Sequence, residues 1–402
     1  MAEGSLGERQ WRLSRLAVAV LGLWLAVDLG LRLMPVERLG VSPNTAAQRL
    51  AGRHSPFRSS FSVYAPEGTP GENAVRGNLP STEGRRPLRF STDALGYRLN
   101  PELPSGAAPD VLFIGGDSFI YGANLSDEET LPAVFTRVSG LLSYNAGRPN
   151  AAPMMLYDLD WLLKHFPRVP QTAVLVHLEH HRYNATDRPR STPGVWDELR
   201  LARRALSEWW TASPLSNATR RLFRHFADGK LLPNSYLQQV SAYSLPDRRP
   251  ILFRDYETHP ARVPQSGDQI LATADNILAW TRALQGRGME VYVLLLPTRF
   301  TVYGPWLVDG EARARVIRAA ESFNQLAAEL EGRGIRTING LGVFQETAHE
   351  DLLSGDLPFY REDNHWNSRG VERIARLLAD SVCQSAAVAA RAGYRKLSQP
   401  CR

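Results

Sequence analysis

Apolar runs of strand length alternate with longer amphipathic segments from Asp110 to the end of the chain. The short runs are rich in Val, Ile and Leu with few polar interruptions, which is typical of parallel strands covered on both faces. These runs occupy residues 111–114, 141–147, 172–180, 290–297 and 335–340. Apolar residues at helical spacing fill segments 127–140, 154–166, 268–288, 311–334 and 368–382. The alternation predicts an α/β fold, a three-layer α/β/α sandwich whose central parallel sheet is joined by right-handed crossovers.

The N-terminal region has a different pattern. Arg9, Arg12 and Arg15 precede an apolar stretch over 16–34, which as a helix is roughly 28 Å long, close to the hydrocarbon thickness of a bilayer. Upstream arginines favour a cytoplasmic N-terminus and an exported remainder. We therefore predict a basic cytoplasmic tail over 1–15 and a single transmembrane anchor over 16–34. A cleaved signal peptide is the alternative, although no small-x-small cleavage site follows the apolar run.

The rest of the chain divides by composition. Residues 35–90 are rich in Pro, Gly, Ser and Arg, which predicts an extended stalk or linker. Residues 91–402 form the expected catalytic domain, with an insertion at about 184–265. Within that insertion, segments 196–210 and 218–226 have a helical pattern, so we expect a largely helical cap over the site.

Charge and cysteine content exclude several classes of function. The formal net charge is +6, but the arginines are dispersed and Lys occurs only at positions 164, 230 and 396. Without a basic run interleaved with aromatic residues, nucleic-acid binding is not expected.

The two cysteines, Cys383 and Cys401, have no metal or redox spacing. They are either a disulfide formed in an oxidising compartment or two separate thiols. We predict no metal and no cofactor.

The first candidate for chemistry follows the first predicted strand, in "DVLFIGGDSFIYG" (110–122). Gly115 and Gly116 permit a sharp turn after the strand. Ser118 then lies just past a carboxyl end, where open α/β sheets bind their ligands. The same residues also suit an ordinary turn with a capping serine.

The second candidate lies near the C-terminal end, in "YREDNHWNSRG" (360–370), where Asp363 and His365 precede the last predicted helix. Serine becomes a nucleophile when an imidazole accepts its proton, and a carboxylate fixes the tautomer of that imidazole. A parallel sheet brings this loop beside the loop after the first strand. Ser118, His365 and Asp363 are therefore expected to converge on one edge.

The early Gly-Asp-Ser block, the "NAG" ending at Gly147 and the late Asp-x-His together resemble the SGNH/GDSL hydrolase superfamily. The resemblance extends over most of 95–383 and implies an SGNH-like catalytic domain. It implies Ser118 as nucleophile, His365 as base and Asp363 as the orienting acid. It also implies an oxyanion hole formed by the backbone N–H groups of Ser118 and Gly147.

Two departures from the family pattern are visible. The usual spacing is Asp-x-x-His, which here selects Glu362 instead of Asp363. The Gly-x-Asn block expected after the third strand is replaced by "HLEHHRYNATD" (177–187). His180, His181 or Asn184 is then the candidate for a third oxyanion donor or for a contact with substrate.

A narrower likeness concerns "DNHW" (363–366), which resembles the Asp-x-His-Trp signature of membrane-associated AlgX/AlgJ-like polysaccharide O-acetyltransferases. "LLLPTRFTVYG" (294–304) looks like their strand followed by Pro, a basic residue and a nearby Tyr, which marks Arg299 and Tyr303 as candidate contacts for a glycan or acyl donor. In the alginate enzymes, however, the Asp-x-His block precedes the serine, whereas here it follows.

The expected function is acyl transfer on a cell-envelope or exopolysaccharide, through an acyl-enzyme on Ser118. The enzyme is expected to be an O-acetyltransferase or deacetylase anchored in the inner membrane, with its catalytic domain on the periplasmic side. Its expected partners are a polysaccharide or acyl-ester substrate and a multi-spanning membrane acyltransferase that supplies acetyl groups. The alternatives are a GDSL-type esterase that hydrolyses small esters, and a non-catalytic SGNH-like protein that binds glycan or serves as a scaffold.

Overall fold

The structure is a computed structural model that describes residues 15, 18–20, 22–27, 71–75, 86–91, 93, 95, 97–147, 156–181, 189, 240–258, 265–361 and 364–391. The chain divides into two compact units. The larger unit, Arg58–Pro193 with Asn234–Arg402, contains every strand given below and the candidate site. In the smaller unit, the described residues are those of a helical segment between Arg15 and Val27.

A five-stranded parallel sheet forms the centre of the larger unit. Its strands are β3 (Val111–Gly115), β4 (Ser143–Asn145), β5 (Thr172–Leu178), β8 (Glu290–Leu296) and β9 (Arg336–Asn339). They lie in the order β4-β3-β5-β8-β9, and their pairing places Val111 opposite both Ser143 and Thr172. All seven residues of β5 are buried, as expected for a strand covered on both faces. The five strands expected from the apolar runs are therefore confirmed.

Helices follow or connect these strands. They are α1 (Asp117–Tyr121), α2 (Leu131–Ser139), α3 (Leu156–Leu163), α4 (Asp255–Thr258), α5 (Gly267–Gln285), α6 (Arg299–Tyr303), α7 (Gly310–Gly332), α8 (Leu341–Ser354) and α9 (Ser368–Arg391). The expected helix at 127–140 begins as a 3-10 turn, Asp127–Glu129, and becomes α2 after Thr130. Pro132 lies in the first turn of α2, where its missing N–H costs nothing.

The strand order places the helices in two layers. The chain moves from β3 to β4 in one direction and from β4 through β5 to β9 in the other. Because crossovers between parallel strands are right-handed, the two directions put their helices on opposite faces of the sheet. Accordingly α2 packs with α9, and α5 packs with α7. The three-layer α/β/α arrangement is thus present in the described residues.

The direction of winding reverses between β3 and β5, and such a switch point opens a crevice at the carboxyl ends of the strands. The residues after β3 include Ser118, and those after β5 include His180 and His181. The topology therefore brings two of the segments selected from the sequence to one crevice.

Two antiparallel hairpins lie outside the central sheet. Strands β1 (Gly71–Val75) and β2 (Arg86–Phe90) pair within the segment expected to be a stalk. Strands β6 (Val240–Ser244) and β7 (Pro250–Arg254) pair within the insertion expected to be largely helical. In β7, the buried residues Ile251 and Phe253 alternate with more exposed ones. The two stretches expected to be helical, 196–210 and 218–226, lie outside the described residues.

The structure tests two predictions about the chain ends only in part. Among the described residues, no helix has the length and apolar character needed to span a membrane, and most of the expected anchor over 16–34 lies outside them. Cys383, in α9, is disulfide-bonded. The other cysteine of the sequence, Cys401, lies outside the described residues.

Candidate active site

The turn after β3 presents Ser118. Gly115, Gly116 and Asp117 have φ values of 80°, 66° and 50°, all in the left-handed region. A Cβ on Gly116 would lie 2.2 Å from Ile120 Cγ1, and one on Gly115 would lie 2.6 Å from the Val176 carbonyl oxygen. Both glycines are therefore required for the close approach of this turn to α1 and β5.

Ser118 and His365 form a hydrogen-bonded pair. The distance from Ser118 Oγ to His365 Nε2 is 2.7 Å, although 247 positions separate the two residues in the sequence. The Phe119 ring packs against both the His365 imidazole and the Trp366 indole, with centroid distances of 5.0 and 5.4 Å. The helix that carries the serine therefore packs directly on the loop that carries the histidine.

The loop around His365 is held by hydrogen bonds from several directions. The Tyr360 N–H donates to the His365 carbonyl oxygen at 3.0 Å, and Phe359 forms an isolated bridge with Trp366. Arg299 Nη1 donates to the carbonyl oxygens of Tyr360 and Arg361 at 3.0 and 3.3 Å. The imidazole is thus carried on a braced segment that enters α9.

The acid that orients His365 stays a prediction. Asp363 and Glu362 both lie outside the described residues.

The expected oxyanion donors are close to the serine helix but are engaged with side chains. The Ser118 N–H donates to the Asp117 carboxylate, and the Gly147 N–H donates to Asn145 Oδ1 at 2.9 Å. A Cβ on Gly147 would lie 2.6 Å from the Tyr121 nitrogen, so Gly147 packs against α1. For these groups to bind an oxyanion, the substrate oxygen has to replace a carboxylate and an amide oxygen. Their role in catalysis stays a prediction.

His181 lies beside the serine turn. Its Nε2 atom is 3.2 Å from Asp117 Oδ2, and its ring lies 4.6 Å from the ring of His180. Burial raises the pKa of Asp117, but the hydrogen bond and charge of His181 and the Ser118 N–H together lower it below its usual value. His177, the second-last residue of β5, is fully buried. Burial holds the pKa of its imidazole well below the usual range. Asn184 lies outside the described residues.

Arg299 and Tyr303 lie in α6 and are buried. Arg299 is 2 % exposed and Tyr303 is 0 % exposed. Burial raises the pKa of the Tyr303 hydroxyl. Arg299 donates to the backbone of the loop that leads to His365, so it lies behind that loop. Their expected contact with a glycan or acyl donor stays a prediction.

Two buried glutamates near this region were not identified from the sequence. Glu179 accepts hydrogen bonds from the Thr298 N–H and the Thr301 hydroxyl, both at 2.7 Å, and burial raises its pKa to about 7. Glu257 accepts a bond from the Arg254 N–H at 3.0 Å. Burial raises the pKa of Glu257 to about 7, while the charges of Arg299 and His365 act in the opposite direction. Glu179 could have been identified from the sequence, because it is a charged residue directly after an apolar strand. No sequence pattern around Glu257 marks it as buried.

The parallel sheet and its switch-point crevice fit an α/β, SGNH-like fold, and the Ser118–His365 pair lies at that crevice. The comparison with known families agrees. Residues 252–400 match the family described as an SGNH hydrolase-like domain, acetyltransferase AlgX. This match confirms the resemblance noted from the sequence and supports an acetyltransferase-like function at the level of the family. It includes His365 and Arg299 but not Ser118. A comparison with curated proteins found no match to the chain.

Proposed function

We propose that this protein is an exported, membrane-anchored O-acetyltransferase of a cell-envelope or exopolysaccharide that works through an acyl-enzyme on Ser118. The observation that carries the proposal is the 2.7 Å hydrogen bond between Ser118 Oγ and His365 Nε2 at the switch point of the sheet. The match of residues 252–400 to an acetyltransferase family supports acyl transfer as the chemistry.

The geometry leads to a two-step reaction. Ser118 Oγ attacks the acyl carbonyl of the donor while His365 Nε2 accepts the hydroxyl proton, and His365 then protonates the leaving oxygen of the donor. The resulting acyl ester on Ser118 is attacked by a sugar hydroxyl, whose proton passes to His365 and back to the serine. Attack by water in the second step gives hydrolysis instead, so transferase and esterase differ only in the acceptor.

Stabilisation of the tetrahedral intermediates requires hydrogen-bond donors for the oxyanion. The Ser118 and Gly147 N–H groups are the proposed donors, each worth roughly 3 kcal/mol in the transition state. His181, held by Asp117 at 3.2 Å, is proposed as the third donor in place of the asparagine of the SGNH pattern.

The proposed location outside the cytoplasm rests on two observations. The apolar run over 16–34 follows three arginines, and Cys383 is disulfide-bonded, which is typical of oxidising compartments. A multi-spanning membrane acyltransferase that delivers acetyl groups is the proposed partner. Recovery of the full-length protein in the membrane fraction after carbonate extraction is the expected result, and recovery in the supernatant contradicts the anchor.

The serine assignment is tested with a fluorophosphonate probe on the purified full-length protein. We expect one label per chain, on Ser118, with labelling lost in Ser118→Ala and strongly slowed in His365→Ala. Ser354→Ala, at the exposed end of α8, is the matched control and should label normally. Equal labelling of Ser118→Ala and the wild type removes Ser118 from the mechanism.

A second experiment distinguishes the two possible acceptors. Incubation of the acetylated enzyme with oligosaccharide yields acetylated sugar if the enzyme transfers the group, and acetate alone if it hydrolyses the ester.

A further inference from the structure

A cluster of metal-ligating side chains lies beside the Ser118–His365 pair. One ligand atom from each of Asp117, His180 and His181 lies within 4.8 Å of the other two. The side chains of His181 and Asp117 are only 9 % and 14 % exposed. Among the described residues, this is the group of histidine, cysteine and carboxylate side chains close enough to share one ion.

The donor set is selective for a class of cation. Two imidazoles and one carboxylate suit divalent transition metals, whereas Mg²⁺ and Ca²⁺ prefer oxygen ligands alone. Zinc is bound at about 2.0–2.2 Å by such ligands, which places neighbouring donor atoms of a tetrahedral site about 3.3–3.6 Å apart. The 3.2 Å distance from His181 Nε2 to Asp117 Oδ2 is close to that separation. A ligand atom of His180 lies within 4.8 Å of both.

Two of the three ligands are already held in place by the fold. The second carboxylate oxygen of Asp117 accepts the Ser118 N–H, and the backbone of Asp117 is fixed in the left-handed conformation of the glycine turn. The His181 N–H donates to the Leu178 carbonyl oxygen at 2.9 Å, which fixes the start of the loop after β5. Such supporting hydrogen bonds orient ligands before a cation binds.

We propose that Asp117, His180 and His181 bind one divalent transition-metal ion of the Zn²⁺ class, with a fourth coordination position open. The sequence alone indicated no metal, because the three residues come from loops after two different strands. The site goes beyond the proposed acyl transfer, and His181 acts as a ligand instead of an oxyanion donor while the ion is bound. Since Asp117 precedes Ser118 directly, the ion would lie beside the nucleophile.

The test is zinc binding to the metal-free, untagged full-length protein in detergent, measured by calorimetric titration with ZnCl₂. We expect one Zn²⁺ per chain. The variants Asp117→Asn, His180→Ala and His181→Ala should each bind at least about tenfold more weakly. His165→Ala, in the turn after α3, and His349→Ala, on α8, are matched controls and should bind like the wild type. Asparagine tolerates the left-handed conformation, so Asp117→Asn preserves the turn.

A second measurement separates loss of the site from loss of the fold. Zinc should raise the unfolding temperature of the wild type, because an ion that binds only the folded state stabilises it, and should leave that of folded His181→Ala unchanged. His365→Ala should retain zinc binding. The proposal is overturned if the wild type binds no zinc, if the three ligand variants bind like the wild type, or if His365→Ala loses the ion. The last result would assign the ion to the serine–histidine pair.

Discussion

At the scale of single residues, the two ring nitrogens of His365 have different tasks in the proposed reaction: Nε2 accepts the serine proton, and Nδ1–H is held by an acid. Its Nε2 atom faces Ser118 Oγ at 2.7 Å, so its Nδ1–H has to be held by an acceptor for the imidazole to keep the required tautomer. Asp363 and Glu362 are the two carboxylates near enough in sequence. A short side chain two residues before the histidine can turn back to Nδ1 in a tight loop, which favours Asp363.

We predict that Asp363→Asn loses most of its turnover, by up to about 10⁴-fold in kcat, because an acid that fixes the tautomer has this value in serine triads. Glu362→Gln should lose little. Deacetylation of an activated acetyl ester measures both variants, with Asp356→Asn, an exposed carboxylate in the same loop region, as control. If Glu362→Gln is the inactive variant, the loop follows the Asp-x-x-His geometry. If neither variant matters, His365 acts without an acid.

At the scale of elements, α6 supports the loop that carries the histidine. Arg299 projects from α6 and donates to two successive carbonyl oxygens, of Tyr360 and Arg361, and Tyr360 in turn donates to His365. The guanidinium group is buried and lies 5.8 Å from the Phe253 ring centre. We therefore propose that Arg299 is a positioning residue, which acts on the proposed reaction through the loop.

We predict that Arg299→Gln lowers kcat by up to about 100-fold, because misplacing a catalytic group by about 1 Å has effects of this size. KM should change little, since Arg299 is buried behind the loop. Arg299→Lys should recover part of kcat, because lysine restores the charge and one donor without the planar fork. Arg376→Gln, in an exposed pair on α9, is the control. A rise in KM with unchanged kcat would instead assign Arg299 to substrate binding.

At the scale of the whole molecule, the stability of the protein should depend on the protonation of Glu257. This side chain is 1 % exposed, and burial raises its pKa from 4.5 to about 7. The Arg254 N–H and the charges of Arg299 and His365 lower this pKa, and the charge of Glu179 raises it. Between these two pKa values the folded protein retains a proton that the unfolded chain has lost. The free energy of unfolding therefore decreases as pH rises from about 5 to 7 and levels off above that range.

We predict that Glu257→Gln removes this contribution, which is roughly 2–3 kcal/mol across that pH range. Between pH 5 and pH 8, the free energy of unfolding should fall by about this much more in the wild type than in Glu257→Gln. Urea unfolding at the two pH values measures the difference, and Glu321→Gln, on the exposed side of α7, is the control. Glu179 contributes in both proteins, so only the difference between variant and wild type is informative. An identical pH dependence in both proteins contradicts the prediction.

Much of the architecture could be predicted from local pattern. The strands at Val111–Gly115, Thr172–Leu178 and Glu290–Leu296 are nearly continuous apolar runs, because burial on both faces favours apolar residues at most positions. Hairpins β1–β2 and β6–β7 were missed, because none of their four strands is a continuous apolar run. The buried position of Arg299 was also missed, because a cation next to an apolar strand is ordinarily exposed.

The sequence by itself determined the class of fold, and it placed a serine after the first strand of the sheet and a histidine before the last helix. Those features depend on the spacing of apolar residues and on short motifs, which are local. Only the tertiary structure decided that Ser118 and His365 lie within hydrogen-bond distance, that Gly147 packs against the serine helix, and that Asp117 meets His181. The order of strands in the sheet sets these contacts, and that order depends on the packing of segments far apart in the chain.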